Sequence, residues 1–157
     1  RFRHRRRRHH AGPDAADGTQ MRHDAACHCG TVRFTVELPD GIASARRCDC
    51  SFCAMRGAVA VSATLDGITF TAGEGNLSCY TFNTGTAQHF FCKNCGIYTH
   101  HRRRSNPNEY GVNLACISGQ TPFLPVVNVV DGQAHPSDGA PPRIAGTLSY
   151  SRIEAET

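Results

Sequence analysis

The chain contains no tryptophan, and nowhere in its 157 residues is there a run of the roughly 18 apolar side chains that a membrane helix needs. No apolar segment follows the arginine-rich start either, because AGPDAADGTQ (11–20) is small and polar, so no secretory signal is expected. These absences predict a cytoplasmic protein with no membrane partner, in a compartment that keeps thiols reduced. With 15 glycines and 8 prolines, the composition suits a turn-rich β protein better than a helical bundle. The length fits one domain.

Positive charge is also missing where the overall balance suggests it. Of 17 Lys+Arg and 13 Asp+Glu, six arginines and two aspartates fall in residues 1–20, which leaves 11 of each sign in residues 21–157. The net +4 therefore describes the arm RFRHRRRRHH and its extension. Residues 1–20 are expected to be a disordered basic arm, kept open by self-repulsion. Either the arm contacts nucleic acid through phosphate neutralisation, or the native segment begins near Met21 and the arm is incidental. The second reading is preferred, so no nucleic-acid partner is expected.

Short runs of alternating or β-branched residues fill the rest. In TVRFTVE (31–37), Val32, Phe34 and Val36 alternate with Thr31, Arg33 and Thr35, the pattern of a half-buried strand. LPDG (38–41) reads as a turn. AVAVSATL (58–65), GITFTA (67–72), LSCYTF (77–82), TAQHFF (86–91), GIYTHH (96–101), YGVNLACI (110–117) and PVVNVV (125–130) follow at short spacing. Such punctuation predicts an all-β, antiparallel single domain with short strands. One short helical turn is expected at Asp49–Arg56, capped by Asp49 or Ser51 and ended by Gly57. HPSDGAPPRIAG (135–146) reads as loop, and residues 139–157 as a C-terminal tail.

Nine cysteines in a reducing compartment point to metal before disulfide. CHCG (27–30) and CKNCG (92–96) each place two sulfurs on one tight turn followed by a glycine suited to positive φ. Brought together, Cys27, Cys29, Cys92 and Cys95 make a closed four-thiolate zinc site of the structural type. A redox CxxC turn is excluded, because the expected βαβ context is missing.

CDCSFC (48–53) supplies only three ligands. Residues i and i+2 share a side in extended chain and a turn returns i+5, so Cys48, Cys50 and Cys53 can converge on one ion. Three protein ligands with an exchangeable fourth position is the catalytic zinc pattern. Three thiolates leave zinc with net −1, which suits it to holding an exogenous thiolate better than to generating hydroxide. The alternative is a second structural site completed from afar by Cys79, His89, His100, His101 or His135. Cys79 and Cys116 otherwise read as small core residues. Arg46, Arg47 and Arg56 flank the trio, and Arg47 and Arg56 are the candidates for binding a substrate carboxylate.

These segments resemble the glutathione-dependent formaldehyde-activating (GFA) family, which includes centromere protein V. The resemblance runs in order through CHCG, CDCSFC with Arg56-Gly57, YTFNTGTAQHFFCKNCG (80–96), RSNPNEYGVNLACISG (104–119) and VVDGQAHP (129–136). It implies a GFA-type zinc domain over residues 24–138 with the β-tent fold and two zinc ions. Cys27, Cys29, Cys92 and Cys95 would hold the structural ion, and Cys48, Cys50 and Cys53 the catalytic one. The implied activity is a carbon–sulfur lyase running in reverse, condensing glutathione with formaldehyde to S-hydroxymethylglutathione. The basic HHRRRS (100–105) departs from the family pattern. The alternatives are another thiol or carbonyl on the same scaffold, or a zinc-stabilised binding module using its arm on nucleic acid.

Overall fold

The computed structural model describes residues 22–155. The arm expected at residues 1–20 lies outside the described residues. The chain forms eleven strands: β1 (Arg22–Ala26), β2 (Arg33–Glu37), β3 (Arg46–Cys48), β4 (Ala60–Thr64), β5 (Ile68–Ala72), β6 (Leu77–Tyr80), β7 (Gln88–Cys92), β8 (Tyr98–Arg102), β9 (Glu109–Asn113), β10 (Val126–Val130) and β11 (Ile144–Ser149). The single α-helix among the described residues is α1 (Ser51–Arg56). Strands β1, β2 and β5 make a small sheet, and the other eight a large one in the order β11-β10-β3-β4-β9-β8-β7-β6. The fold is all-β, as the punctuation of the sequence predicts.

The alternation read in residues 31–37 sets the core. Phe34 and Val36 of β2 are buried with Val32, while Arg33 is exposed. They pack against Val61 and Ala63 of β4, Val112 of β9, and Leu114, so the core lies between the two sheets. Burial of each such side chain contributes about 1.5–3 kcal/mol. Leu114–Cys116 is a 3-10 turn, so the strand expected through Ile117 stops at Asn113, whose side chain accepts from the Ala115 N–H.

Two features position the site. Strand β3 pairs with β10 in parallel, the one departure from antiparallel pairing among the described strands, with Cys48 opposite Val130. It brings the cysteine trio beside the loop after β10. A bulge in β8 opposite Phe90 and Phe91 leaves Thr99 unpaired, so His100 registers with Phe90, and Tyr98 with Phe91. The extra residue resets the pleat. His100 then lies against Phe34, Phe70 and Phe90 in the core, and both Tyr98 and His101 face the opposite side of the sheet.

Strands β1, β3 and β11 are absent from the sequence reading. In particular, Ile144–Ser149 is an edge strand pairing with β10, inside a segment expected to be loop and tail. Its six residues are all exposed, so no apolar alternation marks it.

Candidate metal centres and cleft

The two cysteine knuckles form at the ends of the small and large sheets. Cys27 follows β1, and its turn is closed by Gly30 N–H to the Cys27 carbonyl at 3.0 Å. Cys92 ends β7, and Gly96 N–H returns to its carbonyl at 2.8 Å. Gly30 and Gly96 adopt φ of 75° and 73°, as the knuckle geometry requires. The turns bring Cys27, Cys29, Cys92 and Cys95 together with all four sulfurs within 4.8 Å of one another.

A tetrahedral ion at a zinc–thiolate distance of about 2.3 Å sets its sulfurs about 3.8 Å apart. The Cys27–Cys29 and Cys29–Cys92 sulfurs stand at 3.6 and 3.8 Å. The Val32 N–H donates to the Cys27 sulfur and the Asn76 side-chain amide to the Cys92 sulfur, at 3.3 and 3.4 Å, the outer support that thiolate ligands need. The donor set can hold a metal ion and is compatible with zinc. It ties β1 and the small sheet to β7 of the large one.

The trio forms at the β3–α1 junction. Cys48 ends β3, Cys50 caps α1 by accepting from the Cys53 N–H at 3.5 Å, and Gly57 closes the helix in the left-handed region. The cap is therefore a cysteine sulfur, where the sequence suggested Asp49 or Ser51. Asp49 acts elsewhere. Its carboxylate accepts from the Gly132 N–H at 2.7 Å, fastening the β10 loop over the trio. In that loop Asp131 accepts from the Gln133 and Ala134 N–H groups. Cys48, Cys50 and Cys53 place their sulfurs within 4.8 Å of one another, and among the described residues no further His, Cys, Asp or Glu joins the group. Of the candidates for a distant fourth ligand, Cys79 is exposed on β6, and His100 is in the core. Cys116 is buried, as expected of a core thiol, whereas the exposure of Cys79 corrects the same expectation for it: β6 is an outer strand.

The three thiols do not share charge evenly. Hydrogen bonds from Cys48 and then Cys53 pull Cys50 down to about 2, while contacts with Cys48 and then Cys50 push Cys53 well above the ordinary thiol range, and the contact with Cys50 raises Cys48. Three sulfurs this close become thiolates together only around a cation, which is the chemistry the donor set fits.

The trio lines a cleft of about 890 Å³, whose other walls include Arg46, Arg103, His101 and His135. Arg56 stands behind this wall. Its guanidinium lies 3.4 Å from the Cys53 sulfur, 3.0 Å from His89 Nδ1, and 3.8 Å from the centroid of the Tyr98 ring. Because Arg56 can only donate, His89 accepts at Nδ1 and carries its proton on Nε2, which has no partner among the described residues. Burial, and then Arg56, lowers the His89 imidazole to about 4, so it is neutral at pH 7. Phe52 and Phe82 flank that ring, at centroid distances of 4.4 and 5.7 Å.

Neither Arg47 nor Arg56, the arginines singled out for a substrate carboxylate, lines the cleft. Arg46, Arg103, Arg104 and Arg143 do. The last two are paired, Arg104 with Asp138 and Arg143 with Asp131. Sequence proximity to the trio favoured Arg47, but along a strand successive side chains alternate, and Arg46 is the one that faces the cleft.

The model for the glutathione-dependent formaldehyde-activating enzyme family matches residues 22–131. Among solved structures, a Rhodobacter sphaeroides protein is similar at 56% identity and a TM-score of 0.62, over 65% of this chain and 92% of that one. With both cysteine clusters inside one matched span, the chain belongs to the glutathione-dependent formaldehyde-activating enzyme family.

Proposed function

We propose that the protein is a zinc-dependent carbon–sulfur lyase of the formaldehyde-activating type, joining glutathione to formaldehyde as S-hydroxymethylglutathione. The observation that carries this reading is the three-sulfur cluster with no fourth ligand among the described residues, opening into a cleft. Cys48, Cys50 and Cys53 would hold one zinc, and Cys27, Cys29, Cys92 and Cys95 the second, structural one. Zinc at the open site would supply a lowered thiol pKa and a fixed position for the sulfur.

The chain's own groups do the rest. Arg56, donating to the Cys53 sulfur, offsets the excess negative charge of three thiolates around a dication. His89 contributes a neutral ring to the cleft wall, its tautomer set by Arg56 at Nδ1. The substrate sulfur adds to the carbonyl carbon, a C–S bond forms, the C=O π pair moves to oxygen, and oxygen takes the proton that the thiol gave up. The sum is redox-neutral and needs no third reactant. Phe82, His89 and His101 give the cleft an aromatic wall, with Phe52 packed on Phe82 and His89.

The setting in this reading is cytoplasmic, where the seven clustered cysteines would be kept reduced as metal ligands. No helix among the described residues is long and apolar enough to cross a membrane. The test is adduct formation from 13C-formaldehyde and glutathione followed by NMR, with elemental analysis of the purified protein. Two zinc ions per chain and acceleration over the uncatalysed reaction are expected. One ion, or no acceleration by the fully loaded protein, rejects the reading.

A further inference from the structure

Two arginines in the cleft, Arg46 and Arg103, are less fully neutralised than Arg104 and Arg143. Arg103 is only 8% exposed, and Arg46 is half-buried. Both donate to one oxygen: Arg46 Nη1 and Arg103 Nη2 each lie 3.3 Å from Ser62 Oγ. Ser62 is itself buried, and its N–H is held by Ser44 Oγ at 2.9 Å, so the shared acceptor is fixed. Two like charges are thereby clamped together at reduced solvation. Opposed to them is only Glu109, 3.5 Å from Arg103 Nε. That separation makes no hydrogen bond, and Arg103 Nε is otherwise unpartnered among the described residues. Among the described residues no carboxylate pairs with Arg46. The cation in direct contact with the trio is Arg56, at the Cys53 sulfur. Arg46 has no carboxylate partner among the described residues and Arg103 only one long ion pair, so the two guanidiniums can take a further anion from outside.

We propose that Arg46 and Arg103, clamped on Ser62, form a carboxylate subsite, and that the thiols this cleft accepts are those carrying a carboxylate at a distance from the sulfur. The proposal rests on the reading of the trio as a thiol site and names the group that selects among thiols. Arginine suits this role because its planar fork meets both carboxylate oxygens.

The test separates the subsite from the chemistry. Calorimetry on the zinc-loaded protein with S-methylglutathione, which keeps the carboxylates and lacks a free thiol, reads the subsite alone. Arg103→Gln and Arg46→Gln should each weaken that binding about tenfold or more, the usual effect of removing one charge-assisted hydrogen bond. Arg103→Lys should recover part of the loss. In adduct formation, KM should be about tenfold lower for glutathione than for its dimethyl ester in the wild type, and the two KM values should converge in the glutamine variants. Melting curves identify any variant that is not folded, and Arg46→Gln carries the test if Arg103→Gln is not. S-Methylglutathione binding that is indifferent to both arginines overturns the subsite, as does an equal KM for acid and ester in the wild type. Arginine-dependent binding with no adduct from any thiol would keep the subsite and sink the lyase reading.

Discussion

Gly132 packs so closely on Cys48 that a Cβ in place of its hydrogen would overlap the Cys48 sulfur, and would also stand 2.9 Å from Cys50 Cβ. The contact exists because the Asp49 carboxylate draws the Gly132 N–H to 2.7 Å, folding the β10 loop onto the trio. Gly132→Ala should therefore displace two of the three sulfurs while leaving both sheets in place. The expected outcome is a folded protein that retains one zinc ion and binds the second about 10–100-fold more weakly, the usual effect of disturbing a ligand's support. Chelator titration with elemental analysis reads it, and full, tight occupancy in the variant would show that the loop yields.

The two cysteine clusters should fail in different ways. Cys92 is fully buried and its sulfur joins the small sheet to β7, whereas Cys53 belongs to one local turn. Cys92→Ser should cost several kcal/mol and broaden or abolish cooperative unfolding, because structural metal binding is folding free energy. Cys53→Ser should cost about 1 kcal/mol, in line with ordinary substitutions, yet abolish turnover. Equal losses of melting temperature in the two variants would make the trio structural as well.

Arg56 touches Cys53, His89 and the Tyr98 ring at once. Arg56→Met keeps much of the apolar stem and removes every donor. Zinc affinity at the trio should drop about 10–100-fold, with the four-cysteine site unchanged. The His89 tautomer should also cease to be fixed, which 15N shifts of the imidazole report directly. An unchanged Nε2–H signal would mean that Arg56 does not set it.

His89, His100 and His101 are buried, and burial lowers the first two to about 4 and the third well below its usual range. The unfolded chain, with ordinary histidines near 6.5, binds more protons in this window, so stability rises with pH. It is complete above about pH 6.5 and falls as pH drops toward 4, by about 1.4 kcal/mol per unit for each histidine. Urea melts at pH 7, 6 and 5 should show that slope. His100→Phe, which keeps a ring stacked on Phe90, should reduce it by about one proton; an unaltered slope excludes His100 as a source.

Much of the candidate site was legible because its ligands are local. Two sulfurs per knuckle and three in CDCSFC lie within six residues of one another, so each local group follows from turn geometry, whereas the meeting of the two knuckles, Cys29 with Cys92, needs the fold. The strand alternation of Val32, Phe34 and Val36 was legible for a similar reason: an apolar period of two suits a half-buried strand. What lay beyond reach depends on pairings between distant segments. The bulge that sends His100 to the core and His101 to the cleft arises from the register of β7 against β8, and no local pattern marks it. Exposed β11 carries no apolar signature, and its existence follows from the open edge of β10. Proximity in sequence pointed to Arg47 and Arg56 as substrate contacts, but the cleft is lined instead by Arg46 and by the distant Arg103, joined through Ser62. The residues by themselves determined which atoms can bind metal. Only the tertiary structure decided what faces that metal, because charge, burial and access belong to surfaces assembled from separate strands.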